Sequence, residues 1–272
     1  MKIQVVMENY MEGKDISAEH GLCIYVETKE HKLLVDTGQS NQTWKNAKAL
    51  GIDLVSIDTV VLSHGHYDHS GGLLTFAKTH PFVHIYMREN AGGDYYSKRE
   101  EGMHYIGIDK EILTLPNLHL ISEDCSIDSE LSLFTNVTGR NLFPKGNKRL
   151  FQKIGKDFVE DDFSHEQYLV IQKEEGDYVL ISGCAHNGIL NILERFESIY
   201  HCNPSLVISG FHMVQKEYTE EDIENIKKTA ELLKEMNTRF CTGHCTGELA
   251  YCWMKEIMGE RLFEIKNLSI EI

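Results

Sequence analysis

The feature that most constrains this chain is a ten-residue segment crowded with histidines. Residues 63–72 read Ser-His-Gly-His-Tyr-Asp-His-Ser-Gly-Gly and continue an apolar run at 59–63, which is typical of a buried strand. Its metal-binding side-chain types are His64, His66, Asp68 and His69. Such a set repels when charged and packs poorly as core, whereas a divalent ion binds neutral imidazole and carboxylate well. The alternative is a surface cluster of histidines, and the spacing favours a metal site.

The spacing also predicts how the side chains are directed. In an extended loop leaving a strand, His64 and His66 point the same way, while Asp68 and His69 turn toward a second position. We therefore expect two divalent ions, with zinc the first choice and Mn²⁺ or Fe²⁺ as alternatives. Asp68 is in addition a candidate catalytic group that handles a proton.

The length and the hydrophobic pattern of the chain favour a globular protein over a membrane or secreted one. The 272 residues, 42% of them hydrophobic, suffice for one large α/β domain. The sequence contains no run of about eighteen apolar residues, so no membrane-spanning helix is predicted. The N-terminal residues 1–8 are typical of a strand rather than a secretory signal, so a cytoplasmic protein is expected.

The net charge of −15, from 27 basic and 42 acidic residues, disfavours nucleic acid as a partner. The expected partner is a small, anionic molecule held by the local positive field of bound metal. The sequence leaves the oligomeric state open, a homodimer included.

Because a cytoplasmic protein is expected, the seven cysteines predict reduced thiols rather than disulfides. Cys241 and Cys245 flank His244, but a single Cys-x-x-x-Cys pair is weak evidence for zinc, and packing in a buried loop is the favoured interpretation.

Hydrophobic patterns predict an α/β protein whose last third alternates strands and helices. Strand patterns lie at 1–8, 22–26, 32–36, 59–63, 168–172, 178–182 and 205–209. Helix patterns lie at 41–50, 73–78, 189–200 and 220–236. Residues 85–165 lack a clear period and are interpreted as strands plus a variable insertion covering the active site. With no repeat or linker, residues 1–272 are expected to form a single domain.

The 64–69 motif resembles the signature of the metallo-β-lactamase superfamily. That resemblance implies an αββα sandwich, in which two mixed β-sheets are flanked by helices. It also implies that His186 and His244, each following a strand pattern, are metal ligands. The resemblance further implies two metal sites. One comprises His64, His66 and His186, and the other comprises Asp68, His69 and His244. Asp36, at the end of another strand pattern, matches an aspartate that orients a ligand loop by hydrogen bonding.

One position departs from the family pattern. Hydrolytic members usually place a metal-bridging aspartate after the strand between the last two histidines, and here that strand is followed by Gly-Phe-His at 210–212. His212 either replaces the bridging carboxylate or binds substrate as a catalytic group. The candidate substrate-binding residues are His20, Tyr67, His165, Phe211 and His212.

The function expected first is hydrolysis of a small phosphorylated or ester-type substrate by metal-activated water. The motifs also resemble a subfamily that includes the 7,8-dihydropterin-6-methyl-4-(β-D-ribofuranosyl)-aminobenzene-5′-phosphate synthases and bacterial relatives. That resemblance implies an alternative, a transferase that couples a dihydropterin methyl diphosphate to an aryl amine and releases diphosphate. A third hypothesis, supported only by the cysteines, is a non-enzymatic metal or redox sensor.

Overall fold

The computed structural model describes residues 1–266 and 268–272, which divide into two compact units. Unit 1 comprises Met1–Glu123, Arg149–Gln167 and Lys266–Ile272. Unit 2 comprises Asp124–Lys148 and Tyr168–Ile265. Each unit therefore draws on segments that are distant in sequence.

In chain order the strands are β1 (Lys2–Met7), β2 (Cys23–Glu27), β3 (Lys32–Val35), β4 (Thr59–Val61), β5 (His84–Arg88), β6 (Tyr95–Arg99), β7 (Gly102–Tyr105), β8 (Leu118–Ile121), β9 (Cys125–Ser126), β10 (Leu131–Phe134), β11 (Leu150–Ile154), β12 (Asp157–Glu160), β13 (Tyr168–Glu174), β14 (Asp177–Ile181), β15 (Leu206–Ile208), β16 (Arg239–Thr242), β17 (Leu262–Glu264) and β18 (Ser269–Glu271). The helices are α1 (Gln42–Ala49), α2 (Tyr67–Ser70), α3 (Leu73–Thr79), α4 (Ile189–Tyr200), α5 (Glu220–Glu235) and α6 (Glu248–Met258). Short 3₁₀ turns lie at Leu54–Ser56, Lys110–Thr114, Lys145–Arg149, His244–Thr246 and Gly259–Arg261.

Unit 1 contains a seven-stranded mixed sheet with the order β18-β1-β2-β3-β4-β5-β8. Its first strands are antiparallel, with Ile24 opposite Val35 in the β2–β3 hairpin. From β3 onward the strands are parallel, with Val35 opposite Val61. The apolar residues of these strands pack with α1 and α3 into the core of the unit, which includes Leu34, Val60 and Phe76.

A second, antiparallel sheet of unit 1 has the order β12-β11-β6-β7. Every residue of β12 is exposed, and β11 is only partly buried. Burial therefore contributes little to β12, whereas β6 buries Tyr95 and Ser97.

Unit 2 contains the other seven-stranded mixed sheet, ordered β17-β16-β15-β14-β13-β10-β9. The four strands β14 to β17 are parallel, so their carboxyl ends lie at one edge of the sheet. The core of the unit combines these strands with the apolar faces of α4, α5 and α6. Helix α5 begins with a capping box, in which Thr219 and Asp222 each accept a hydrogen bond from the other's main-chain N–H.

The predicted α/β fold with two mixed sheets is confirmed, as are the strand and helix patterns from β1 to α5. Residues 85–165, in which strands together with a variable insertion are expected, contribute strands to all three sheets. A single continuous domain in which this region covers the active site stays a prediction. Among the described residues, no helix is long and apolar enough to cross a membrane.

Candidate metal centre

In unit 1 the histidine segment begins where two neighbouring parallel strands end. Asp36 directly follows β3, and Ser63 and His64 follow β4. The chain stays extended as far as His66, whose φ is −104° and ψ 149°, and then forms the single turn of α2. Asp68 and His69 lie in that turn, so the change of direction predicted after His66 is made by a helix N-terminus.

The side chains of this segment are buried and lie close together. The ring centroid of His64 is 4.6 Å from that of His66 and 4.1 Å from that of His69. Oδ2 of Asp68 lies 3.5 Å from Nε2 of His69. The Nε2 atoms of His64 and His66 are fully shielded from solvent. Three imidazoles and one carboxylate thus converge inside the protein.

Asp36 and Ser63 determine which ring nitrogens can reach a metal. Oδ2 of Asp36 lies 2.6 Å from Nδ1 of His69 and accepts a 2.7 Å hydrogen bond from the Ser63 hydroxyl. Because that hydroxyl donates to Asp36, its oxygen is available to accept from Nδ1 of His64 at 2.8 Å. Both rings then present Nε2 as a neutral donor, which is the state that binds zinc or iron.

A buried pair outside the motif supports the same loop. Nε2 of His165 lies 3.1 Å from Oδ2 of Asp161, and both side chains are 0% exposed. Nδ1 of His165 accepts the main-chain N–H of Gly65 at 3.1 Å, so the ring proton is on Nε2 and is donated to Asp161. A Cβ at Gly65 would lie 2.4 Å from the Ala91 carbonyl oxygen, so only glycine fits here.

Electrostatics keep His66 neutral. Burial, together with the neighbouring His165, lowers the pKa of His66 to about 3. Burial opposes ionisation of Asp161, yet His165 holds the pKa of that carboxyl below its ordinary value. The loop is therefore held between two carboxylates, Asp36 and Asp161, and carries an imidazole suited to metal binding.

In unit 2 the candidate ligands follow three adjacent parallel strands. Cys184 and His186 follow β14, His212 follows β15, and His244 and Cys245 follow β16. All five side chains are buried. Two groups have ligand atoms within 4.8 Å of one another, namely Cys184 with His186 and His212, and Cys184 with His244 and Cys245.

An amide orients His186. Oδ1 of Asn147 lies 3.1 Å from Nδ1 of His186, and Nδ2 of Asn147 donates to the His186 carbonyl at 2.7 Å. The rings of His186 and His212 have centroids 4.1 Å apart. Within residues 1–266 and 268–272, neither ring nitrogen of the buried His212 has a hydrogen-bond partner. Two buried nitrogens without partners are costly unless a ligand or substrate satisfies them.

The loops that carry these ligands contain left-handed backbone at residues other than glycine. The φ angles are 52° at Ala185, 49° at His212 and 50° at His244. Each such residue costs roughly 1–2 kcal/mol, and such strain concentrates at functional sites. The left-handed conformation sets the direction in which the side chains of Ala185, His212 and His244 leave the backbone.

The sulfur of Cys245 lies among polar groups. It accepts the main-chain N–H of His212 at 3.3 Å, and its thiol donates to the Cys184 carbonyl oxygen at 3.5 Å. Burial opposes ionisation of Cys245, but interactions with Cys184, His212 and His244 hold the pKa of this thiol well below its ordinary value.

The candidate substrate-binding residues lie in different environments. His20 is 55% exposed, and its Nε2 lies 3.3 Å from Oδ2 of Asp68. Tyr67 is half-buried beside Arg99, and burial raises the pKa of its hydroxyl. Phe211 is 1% exposed within the core of unit 2, whereas contact with substrate needs an accessible face. His165 is fully buried with both ring nitrogens engaged, which places it behind the ligand loop.

Comparison with known proteins agrees with this geometry. The sequence model of the metallo-beta-lactamase superfamily matches residues 17–122. A crystal structure described as Tm1679, a metal-dependent hydrolase of the beta-lactamase superfamily, superposes with a TM-score of 0.83 over 100% of this chain and 99% of that one, at 29% identity. The chain therefore has the metallo-beta-lactamase fold, and its residues 17–122 match the model of this superfamily.

Two curated relatives of this metallo-beta-lactamase-fold protein come from Methanocaldococcus jannaschii. One is an uncharacterised protein, 28% identical over 90% of each chain. The other is the 7,8-dihydropterin-6-methyl-4-(beta-D-ribofuranosyl)-aminobenzene-5'-phosphate synthase, 29% identical over 91% of this chain and 88% of the relative. Relatives of both reaction types, hydrolase and synthase, therefore resemble the whole chain.

The metallo-beta-lactamase fold implies a metal-dependent enzyme that binds divalent ions, and the donors on each unit fit this role. Unit 1 offers the imidazoles of His64 and His69, whose Nδ1 atoms are engaged in hydrogen bonds, so that Nε2 is the nitrogen that can bind a metal. Unit 2 offers imidazoles and thiols at one sheet edge. The enzymatic hypotheses are supported over that of a non-enzymatic sensor.

Sequence reasoning missed several residues that the structure places at these sites. Asn147 contacts His186 from 39 residues away, and Asp161 acts through His165 at 100 residues from Gly65. No local pattern signals such pairs. Cys184 could have been noticed, because it lies two residues before a predicted ligand at a strand end.

Proposed function

We propose that this chain is a hydrolase of a small phosphorylated or ester-type substrate that uses two divalent ions, zinc in the first instance. The observation that carries the proposal is the buried group of His64, His66, Asp68 and His69, in which Asp36 and Ser63 fix the ring orientation. Such preorganisation is typical of a catalytic metal site.

In this reaction the bound ions activate water, and side chains of the protein transfer the proton. Bound divalent ions supply activation of a water nucleophile and stabilisation of negative charge on the attacked group. Asp68 accepts the proton that the water releases, because its Oδ2 lies beside both His69 and His20. His20 is 55% exposed and 3.3 Å from that oxygen, so it passes the proton to solvent.

An anionic substrate is supported by Arg99. The chain carries a net charge of −15, which disfavours anions in general. Arg99 hydrogen-bonds the side chain of Tyr67, which begins the helical turn of the ligand segment. A guanidinium in this position can bind a phosphate or carboxylate oxygen. The synthase relative also has a phosphorylated product by name.

From unit 2 we propose His186 and His244 as further ligands and His212 as a group that contacts substrate. The two ring nitrogens of His212, for which the described residues provide no partner, support the latter role. The pairing of each histidine with ligands of unit 1 stays a prediction from the family resemblance.

A second candidate is the diphosphate-releasing transferase. It is favoured by the 29% identity to the synthase over 91% of this chain. This reaction activates no water, so it does not need a carboxylate that bridges the two ions. His212 at that position is therefore compatible with the transferase. The ligand side chains hold the metal ions in both candidates, whereas proton transfer from water to Asp68 belongs to the hydrolase alone.

The test compares both reactions in one preparation. The protein is reconstituted with zinc, manganese or iron and incubated with panels of phosphoesters, esters and thioesters, and separately with a dihydropterin methyl diphosphate and an aryl amine. Hydrolysis with no joined product supports the first candidate, and a joined product with diphosphate release supports the second. Absence of turnover in every arm contradicts both.

Arg99→Ala tests the charge of the substrate, with Lys98→Ala on the same strand as the matched control. We expect KM to rise about tenfold or more for Arg99→Ala, since a charge-assisted hydrogen bond contributes about 1.5–3 kcal/mol. An unchanged KM for Arg99→Ala, or equal changes in both variants, contradicts recognition of an anion by Arg99.

A further inference from the structure

Two thiols occupy the ligand cluster of unit 2. The sulfurs of Cys184 and Cys245 and a ring nitrogen of His244 lie within 4.8 Å of one another, and all three side chains are buried. In a tetrahedral zinc site with Zn–S of about 2.3 Å and Zn–N of about 2.0–2.1 Å, ligand atoms are roughly 3.5–3.8 Å apart. Separations of 4.8 Å or less are compatible with that spacing.

The backbone around Cys245 is shaped to admit its sulfur. A Cβ on Gly210 would lie 2.4 Å from this Sγ, so a glycine is needed for the sulfur to approach the end of β15. The N–H of His212 donates to the same Sγ at 3.3 Å. A main-chain donor directed at sulfur stabilises the thiolate, which is the form that binds metals.

The competing interpretation is that these thiols simply fill space in the core. Cys23 shows that role, because it belongs to the apolar core of unit 1. Within the described part of unit 2, neither Cys184 nor Cys245 belongs to the corresponding apolar cluster. Both lie instead beyond the carboxyl ends of β14 and β16, among histidines and main-chain polar groups. This placement favours ligation.

We propose that unit 2 binds a divalent ion through Cys184, Cys245 and His244. The inference rests on the proposed function and deepens it, because His244 is one of the ligands proposed there. Two thiolates and one imidazole are a set that catalytic zinc sites use, with the fourth position open. Binding breaks the two S–H bonds and releases two protons to solvent, and no electron is transferred.

The ligand set selects the ion. Thiolates favour zinc over manganese or magnesium, which prefer oxygen ligands. The ion of unit 2 is therefore zinc, or another metal that binds sulfur well, whereas the imidazole and carboxylate donors of unit 1 accept a wider range.

X-ray absorption at the zinc edge of the zinc-reconstituted full chain tests this inference without reference to activity. We expect a shell of sulfur neighbours at about 2.3 Å besides nitrogen and oxygen at about 2.0–2.1 Å. Cys184→Ser and Cys245→Ser should each lower the sulfur contribution by about half, and the double variant should remove it. Cys252→Ser, at an exposed thiol on α6, is the matched control and should leave the spectrum unchanged.

The outcomes separate this inference from the proposed function. Bound zinc with turnover, but with nitrogen and oxygen neighbours only, overturns thiolate ligation and leaves the hydrolase intact. A sulfur shell that persists in the double variant overturns the assignment to these two residues. Absence of bound zinc overturns the inference together with the proposed metal centre. The wild-type spectrum decides the main point even where a variant fails to fold.

Discussion

The two units place metal-binding side chains at the carboxyl ends of parallel strands by different means. Unit 1 concentrates its donors in residues 64–69 and orients them through the carboxylates of Asp36 and Asp161. Unit 2 gathers its donors from three loops and uses an amide, left-handed backbone and two thiols. Charge-assisted hydrogen bonds are roughly twice as strong as neutral ones. We infer that unit 1 depends on individual charged contacts, whereas unit 2 depends on backbone conformation.

The largest effect is expected from His66→Ala. Loss of this neutral, buried imidazole should remove metal from unit 1 and lower turnover by more than the roughly 10–100-fold typical of losing an orienting partner. Elemental analysis and turnover of the reconstituted protein provide the measurement, with the exposed His84→Ala as control. Full metal content in His66→Ala would break the assignment of unit 1 as a metal site.

Asp161→Asn tests whether a carboxylate behind the ligand loop stabilises unit 1. Asp161 accepts a hydrogen bond from a neutral, buried imidazole. A hydrogen bond to a charged group contributes about 1.5–3 kcal/mol, so the free energy of unfolding of the metal-free protein should fall by about that amount at neutral pH. Because the folded-state pKa of Asp161 is lowered, the wild type keeps this contribution above about pH 3.8 and loses it as the pH falls further.

The difference between Asp161→Asn and wild type should therefore shrink in acid, which denaturant unfolding at several pH values would measure. The exposed Asp157→Asn on β12 is the control. Equal stability of the two variants at neutral pH would show that the His165 pair contributes nothing.

The smallest effects compare the two orienting side chains directly. Asp36→Ala should weaken metal binding about 10–100-fold, because His69 loses the contact that fixes its ring. Asn147→Ala should weaken it by less than about tenfold, since a neutral hydrogen bond contributes about 1 kcal/mol. Competition with a chelator measures both, and the reverse order would contradict the contrast between the units.

Local patterns predicted much of this molecule. The apolar runs of β2, β3 and β4 and the helix α4 lie where the sequence indicates, because burial imposes regular spacing on neighbouring residues. The ligand segment at 64–69 could be identified for the same reason, since its donors are adjacent in sequence.

What could not be predicted depends on contacts between distant residues. Strand β12 is exposed and β11 is only partly buried, so neither presents a continuous buried face, and β18 pairs with β1 from the other end of the chain. Helix α6 carried a usable signal in Gly247 and Gly259 at its ends, which the sequence reasoning did not use. Asp161 and His165 are only four residues apart, but their role depends on the contact of His165 with Gly65, which lies 100 residues away.

The left-handed backbone at Ala185, His212 and His244 limits how this chain can diversify. Glycine and asparagine adopt that conformation readily, whereas valine, isoleucine and threonine do so at high cost. Random variation at these three positions would therefore yield few folded chains. Efforts to redirect the enzyme toward new substrates should therefore vary neighbouring surface positions and keep the residues at these three positions unchanged.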